Sequence, residues 1–159
     1  MKFRFKINPV ELSDSGQSAA VMLITDMQSL ALIRRKKRMN DPWSGQIALP
    51  GGLRKPGEAI EQTAVRETME EVGFLASPGG YLGSYRTHVK GILVAAFFSV
   101  VKEQPEFMAG DEVDRVDWVG LESFSPTITD AGFPGYAYYG GIVWGLTFRI
   151  LGDCLEEIH

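Results

Sequence analysis

The chain has 159 residues, of which 45% are hydrophobic and 23% charged, and its formal net charge is -4 at pH 7. This length is usual for one domain, so we predict a single domain over residues 1–159. The composition is typical of soluble globular proteins and excludes a disordered or fibrous chain. The acidic balance argues against a protein that coats nucleic acid, so no nucleic-acid partner is expected.

The cysteine content and the apolar runs of the sequence indicate the cellular compartment in which the protein is expected. Cys154 is the only cysteine, so no intrachain disulfide can form and a reducing, cytoplasmic location is expected. The first ten residues alternate charged and apolar types and lack the apolar core of a signal peptide. The apolar run at 19–24 is far shorter than the roughly 20 residues that span a bilayer, so no membrane contact is predicted.

The first third of the chain predicts short strands. Period-two alternation, apolar runs and turn residues give a strand at 2–7, strands at 18–25 and 30–35 joined by the hairpin turn "DMQS", a loop at 36–45, a short strand at 46–49 and a turn at Pro50 to Gly52.

The rest of the chain predicts two helices separated by strands. The predicted elements are a helix at 57–72 that ends at Gly73, strands at 80–88, 91–101 and 113–121, a loop-like segment at 125–141 with one short strand, and an amphipathic helix at 142–158. This order predicts an α/β (α+β) fold with a mixed sheet packed between helices.

The first predicted helix carries three glutamates on one face. With Glu67 at zero, Glu70 lies at about -60° and Glu71 at about +40°, although like charges at this spacing repel each other. Clustered carboxylates suit Mg²⁺, and Gly51 can offer a carbonyl ligand nearby. The alternative is a solvated acidic face. The predicted apolar stripe of the helix consists of Val65, Thr68, Met69 and Val72.

The spacing of the glutamates belongs to a longer pattern. It is G-x5-E-x7-R-E-U-x-E-E-x-G-U, where U is a bulky apolar residue, and its fixed positions are Gly52, Glu58, Arg66, Glu67, Glu70, Glu71 and Gly73. This stretch resembles the signature of the Nudix hydrolase family. Phe74 fits the last U, whereas Thr68 stands where the pattern has an aliphatic residue, a departure expected to affect packing rather than chemistry.

The resemblance implies a fold, a reaction and a cofactor. The fold is the Nudix fold, a mixed β-sheet sandwiched between α-helices. The reaction is hydrolysis of a small-molecule nucleoside diphosphate derivative with Mg²⁺ or Mn²⁺. The implied metal ligands are Glu67, Glu70, Glu71 and the carbonyl of Gly51, and the implied structural supports are Gly52, Glu58, Arg66 and Gly73. Members of the family are often dimers, and the sequence leaves a homodimer open.

The base that accepts the proton of the attacking water is a separate question. Glu112, in "GDEVDRVDWVGL", resembles a frequent family segment and is the first candidate, with Glu67 the second. We therefore group Glu67, Glu112 and the supporting Arg66 as the predicted catalytic set. An ordinary turn acid is the alternative for Glu112, because this region is acidic anyway.

Two further stretches resemble the coenzyme A pyrophosphatase subgroup of the family. The matching residues are Gly45, Pro50, Gly51, Gly52, Trp144, Gly145 and Thr147. Leu49 and Asp41 depart from the subgroup, which has phenylalanine and arginine at those positions. Coenzyme A or a derivative is therefore the leading substrate, followed by nucleotide sugars, ADP-ribose and dinucleoside polyphosphates. A nucleotide-binding module without catalysis is the competing class.

Basic and aromatic residues supply further candidates. Arg34, Arg35 and Arg38 are predicted to contact substrate phosphates, or else to be a solvated hairpin end. Trp43 is the tryptophan expected to line a pocket, whereas Trp118 and Trp144 are expected to be structural. Other aromatics that could stack on a base, or simply pack, are Tyr81, Tyr85, Phe133, Tyr136, Tyr138 and Tyr139. We expect Cys154 in the core and no histidine metal site.

Overall fold

The computed structural model describes residues 1–5, 16–40, 44–88 and 90–156. The helices in these ranges are α1 (Ile60–Val72), α2 (Gly145–Cys154) and a short 3-10 helix at Leu121–Ser123. The strands are β1 (Lys2–Phe3), β2 (Ala19–Thr25), β3 (Ser29–Arg35), β4 (Ile47–Ala48), β5 (Gly51–Leu53), β6 (Gly80–Arg86), β7 (Leu93–Val100), β8 (Val113–Gly120), β9 (Ser125–Ile128), β10 (Pro134–Tyr138), β11 (Gly141–Trp144) and β12 (Leu155–Glu156). That residues 1–159 form a single domain stays a prediction.

The main sheet is mixed and opens beside the β2–β3 hairpin. The two strands pair only next to their turn, at Thr25 and Leu30, and then diverge. Along its whole length β2 pairs in parallel with β7, while β3 pairs antiparallel with β8. The gap between β2 and β3 is occupied by β4, which pairs with β3, and β5, which pairs with β2. Gly51 and Gly52 therefore lie inside the sheet.

The sheet has an apolar core on each face, because successive side chains of a strand point to opposite sides. Met22 and Phe97 pack on the face that α1 covers, whereas Leu23 and Phe98 pack on the face that α2 covers. The predicted architecture of a mixed sheet between two helices is confirmed. Cys154 belongs to the α2 side of the core, as expected, and burial raises the pKa of its thiol to about 12.

The predicted apolar stripe of α1 is wrong in part. Met69 is half exposed and Val65 only partly buried, so the stripe does not define the packed face. The buried residues of α1 are Ile60, Thr63, Ala64, Thr68, Glu71 and Val72. This face includes Glu71, which the helical angles placed with the solvent-facing acids. The helix also begins at Ile60, not at 57, and ends before Gly73, whose φ of 70° forms the expected left-handed cap.

The C-terminal region departs from prediction most. Residues 125–141 were expected to be a loop with one short strand, but they contain β9 and β10, which form an antiparallel sheet with β11. The predicted closing helix begins only at Gly145, because the preceding residues form β11. Leu155 and Glu156 leave the helix as β12 and pair with β1. No helix within the described ranges has the length and apolar character needed to cross a membrane.

Candidate active site

Glu71 joins the acidic helix to the glycine turn. It lies on the packed face of α1 with 5% of its surface exposed. The backbone N–H of Gly51 donates to Glu71 Oε1 at 2.6 Å, and Arg35 Nη1 lies 3.8 Å from Oε2. Burial nevertheless raises the pKa of Glu71 to about 7. A cation in contact with this carboxylate would stabilise its ionised form.

Arg66 holds the other carboxylates in one network. Its Nε and Nη2 donate to the two carboxylate oxygens of Glu58 at 2.7 and 3.0 Å, while Nη1 donates to Glu67 at 2.8 Å and to Glu70 at 3.2 Å. Nη2 also donates to the carbonyl of Leu53 at 2.9 Å. Arg66 therefore ties the loop before the helix to two of the predicted metal ligands.

Gly52 provides the space in which the Glu67 carboxylate lies. A Cβ atom at Gly52 would stand 2.5 Å from Glu67 Cδ, closer than real contacts allow. The turn thus contacts two acidic side chains, with Gly51 bonded to Glu71 and Gly52 packed against Glu67. The glycines that precede the helix in sequence are in direct contact with its acidic face.

The segment before β8 packs on the C-terminal end of α1. The N–H groups of Met108 and Gly110 donate to the carbonyls of Val72 and Glu71, both at 2.9 Å. These bonds satisfy helix carbonyls that have no partner within the helix. They also fix the position of Glu112, two residues further on, at the edge of the main cavity.

The main cavity has a volume of about 830 Å³ and brings together distant parts of the chain. Its acidic lining comes from Glu67, Glu70, Glu71, Asp111 and Glu112. The late residues Trp144, Gly145 and Thr147 line the same cavity, although sequence reasoning treated Trp144 as structural. Lining residues that the sequence did not single out as binding residues include Gln46, Thr87, His88, Lys90, Leu146 and Arg149.

The predicted basic residues separate in the structure. Arg35 lines the main cavity, whereas Arg34 lines a second cavity of about 470 Å³ and donates to the carbonyl of Gly140. This divergence follows from the alternation of side chains along β3. Arg38 is half exposed and pairs with Glu112 at 3.1 Å, beside the main cavity. Trp43 lies outside the described residues.

The acidic site fits a divalent cation by its charge and its donor atoms. Among the described residues, no three acidic, histidine or cysteine side chains are already arranged to hold a metal ion, and the carboxylates instead accept hydrogen bonds from Arg66 and Gly51. Four glutamates, at positions 58, 67, 70 and 71, lie beside two arginines, at 35 and 66, so acidic side chains outnumber basic ones there. Mg²⁺ needs only a few carboxylate ligands because it retains several waters.

Comparison with known proteins gives one family. The family model for the NUDIX domain matches residues 15–138. The ADP-ribose pyrophosphatase of Methanocaldococcus jannaschii is 29% identical over 125 residues, which are 77% of this chain and 68% of that protein. The peroxisomal coenzyme A diphosphatase ndx-8 of Caenorhabditis elegans is 26% identical over 125 residues, 70% of this chain and 52% of that protein.

Solved structures share the fold. A MutT/nudix family protein from Enterococcus faecalis superposes with a TM-score of 0.66 at 20% identity, over 92% of this chain and 63% of that one. A bifunctional NMN adenylyltransferase/ADP ribose pyrophosphatase from Francisella tularensis, complexed with AMP and a manganese ion, has a TM-score of 0.56 at 21% identity. That match covers 72% of this chain and 36% of the other.

Proposed function

The chain belongs to the Nudix hydrolase family, and on that premise we propose that it hydrolyses the diphosphate bond of a nucleoside diphosphate derivative with Mg²⁺ or Mn²⁺. The proposed metal ligands are Glu67, Glu70, Glu71 and the carbonyl of Gly51. The observation that carries the proposal is the buried Glu71 carboxylate, which Gly51 holds at the edge of the main cavity beside Glu67 and Glu70.

The acidic residues have two tasks in this proposal, metal binding and acceptance of a proton. When bound, a divalent cation neutralises phosphate oxygens and lowers the pKa of the attacking water. Glu112 is our first candidate to accept the proton of that water, because its half-exposed carboxylate lines the cavity and Arg38 restrains it. Glu67 is the second candidate. Arg66 acts as a positioning residue, since its hydrogen bonds fix Glu67 and Glu70 relative to Glu58.

We propose coenzyme A or a derivative as the specific substrate. The residues of the late subgroup stretch, Trp144, Gly145 and Thr147, lie in the same cavity as the acidic helix. Residues that the sequence separates by about 75 positions therefore contribute to one site. Arg35 lies beside Glu71 and is placed to contact the substrate diphosphate.

ADP-ribose is the second candidate substrate. The favouring observation is the similarity to the pyrophosphatase of M. jannaschii, which covers 77% of this chain. A nucleotide-binding module that lacks catalysis is the less favoured class, because all three carboxylates proposed as metal ligands are present and line the cavity.

A substrate panel with matched variants tests the proposal. Purified protein with Mg²⁺ is incubated with coenzyme A, ADP-ribose, nucleotide sugars and dinucleoside polyphosphates, and the phosphate-containing products are separated and identified. We expect cleavage of a diphosphate bond by the wild type. Glu70→Gln and Glu71→Gln should each reduce turnover at least a hundredfold without unfolding the chain. Glu61→Gln, exposed on the same helix and away from the cavity, is the control. Undiminished hydrolysis in either site variant would refute the metal site.

A further inference from the structure

The main cavity contains a second group of charged residues, opposite in sign to the first. The acids come from α1 and from the turn before β8, whereas Lys90 and Arg149 line the cavity from the β6–β7 turn and from α2. His88 lies in the same turn as Lys90. We call Lys90 and Arg149 the cationic end of the cavity.

Sheet register separates the cationic end from the acidic one. Ala20 pairs with Gly52 of β5 on one side and with Ala95 of β7 on the other. Gly52 and Ala95 are thus two strand spacings apart, roughly 10 Å. Lys90 lies further on, beyond the start of β7. The register therefore separates the backbone of Lys90 from the glycine turn by more than the length of a diphosphate, whose two phosphorus atoms share one bridging oxygen.

The structure holds the cationic end in place. In the β6–β7 turn the N–H of Thr87 donates to the carbonyl of Ile92 at 2.8 Å, and the N–H of Ile92 donates to Thr87 Oγ1 at 3.0 Å. Arg149 donates to the carbonyl of Arg86 at 2.7 Å, and its guanidinium lies 5.7 Å from the ring centre of Tyr85. A side chain positioned in this way loses little conformational freedom when it binds an anion.

Of the ion pairs between described residues, none involves Arg149. The first turn of α2 lies beside it at Gly145 to Thr147, and no described side chain caps the N-terminal N–H groups of that helix. The helix dipole adds to the positive potential there.

We propose that the cationic end binds a phosphomonoester of the substrate, separate from the diphosphate that is cleaved. This inference rests on the proposed function and narrows it to nucleoside diphosphate derivatives that carry an additional terminal phosphate. A phosphomonoester has a charge of about -1.5 to -2 near pH 7, which Lys90 and Arg149 together match. Charge-assisted hydrogen bonds to phosphate are among the stronger polar contacts in proteins.

Equilibrium binding tests this inference without requiring turnover. Isothermal titration calorimetry with Mg²⁺ present compares adenosine 3′,5′-bisphosphate with adenosine 5′-monophosphate, which differ only in the additional phosphate. We expect the wild type to bind the bisphosphate about tenfold more tightly. Lys90→Gln and Arg149→Gln should each reduce this preference several-fold, and raised ionic strength should reduce it as well. Lys102→Gln, an exposed cation outside the cavity, should leave the preference unchanged.

Two results would overturn the inference: equal affinity of the wild type for both nucleotides, or a preference that Lys90→Gln retains in full. The Lys90 variant decides the matter if Arg149→Gln unfolds, because Lys90 is exposed. Hydrolysis of coenzyme A and of its 3′-dephospho form is measured in parallel. If the phosphate preference is present and neither compound is cleaved, coenzyme A fails as the proposed substrate and the binding inference stands.

Discussion

Glu58 and Arg66 form the tightest ion pair of the site. The hydrogen bonds from Arg66 are the main cause that lowers the pKa of Glu58 to about 2, and Thr63 Oγ1 adds a further bond at 2.7 Å. Only 14% of the Glu58 side chain and 21% of the Arg66 side chain are exposed. Such a pair differs from an exposed ion pair, which contributes little to stability.

The Glu58 pair predicts a pH-dependent contribution to stability. The native pKa is about 2 and the ordinary value is 4.5, so the stabilisation is complete above pH 5 and disappears as the pH falls towards 2. We expect Glu58→Gln to lower the free energy of unfolding by about 1 to 3 kcal/mol at pH 7 and by much less at pH 3. Urea unfolding at both pH values measures this, with Glu61→Gln as the exposed control. A difference in the free energy of unfolding between wild type and Glu58→Gln that stays constant with pH would contradict the lowered pKa of Glu58.

At the scale of elements, α1 buries an unusual share of polar side chains. Thr63 donates to Glu58 and Glu71 accepts from Gly51, so both have partners from the loop before the helix. The hydroxyl of Thr68 is fully buried and has no hydrogen-bond partner among the described residues. Thr68 is also the residue that departs from the signature, which has an aliphatic side chain there. Its hydroxyl serves no visible purpose in packing or in the site.

Thr68→Val should therefore stabilise the protein. Valine has nearly the same shape, and its methyl group removes the cost of a buried hydroxyl without a partner, so we expect a gain of about 1 kcal/mol in the free energy of unfolding. Thr63→Val is the matched control on the same helix face. It breaks the bond to Glu58 and should cost about 1 to 3 kcal/mol. Denaturant unfolding of both variants gives the comparison, and a loss of stability in Thr68→Val would show that the hydroxyl has a partner after all.

The elements also show which parts of the fold the sequence predicts. The strands β2, β3 and β7 and the helix α1 were expected because each has a clear periodic or apolar pattern. The strand β5 was missed because Pro50, Gly51 and Gly52 indicate a turn, and only one of the two strands β9 and β10 was expected, because the proline and glycine residues of that segment indicate turns. The apolar run after Gly141 resembled a helix, but Gly145, with φ of 67°, separates a strand from the helix there.

The sequence likewise predicts one part of the candidate site and not the other. The spacing of the acidic helix is local, so the sequence places Glu67, Glu70 and Glu71 near Gly51 without knowledge of the sheet. The cationic end depends on the pairing of β6 with β7 and on the position of α2, because Lys90 lies in the β6–β7 turn and Arg149 lies in α2. No short motif contains that information. In the sequence, Thr87 and His88 end one predicted strand, and Lys90 lies just before the next one.

At the scale of the whole molecule, the site depends on the gap between β2 and β3. β5 fills this gap, α1 covers it from one face, and the start of α2 lines the same cavity. An unfolded chain has none of these neighbours, so it cannot hold the carboxylates of α1 around one ion. A cation bound there should stabilise the native state as a whole.

Thermal unfolding with and without Mg²⁺ or Mn²⁺ tests this coupling. A ligand at a hundred times its Kd adds about 2.7 kcal/mol to the stability of the native state, and each kcal/mol raises the Tm of a chain of this size by about 2–4 °C. We therefore expect a rise of about 5–10 °C that a chelator reverses. Glu70→Gln and Glu71→Gln should lose most of the rise, and since each removes like-charge repulsion, neither should melt far below the metal-free wild type. Glu61→Gln keeps the helix and its exposed surface and should keep the full rise. A rise that survives in both site variants would place the cation elsewhere on the molecule, whatever the substrate panel shows.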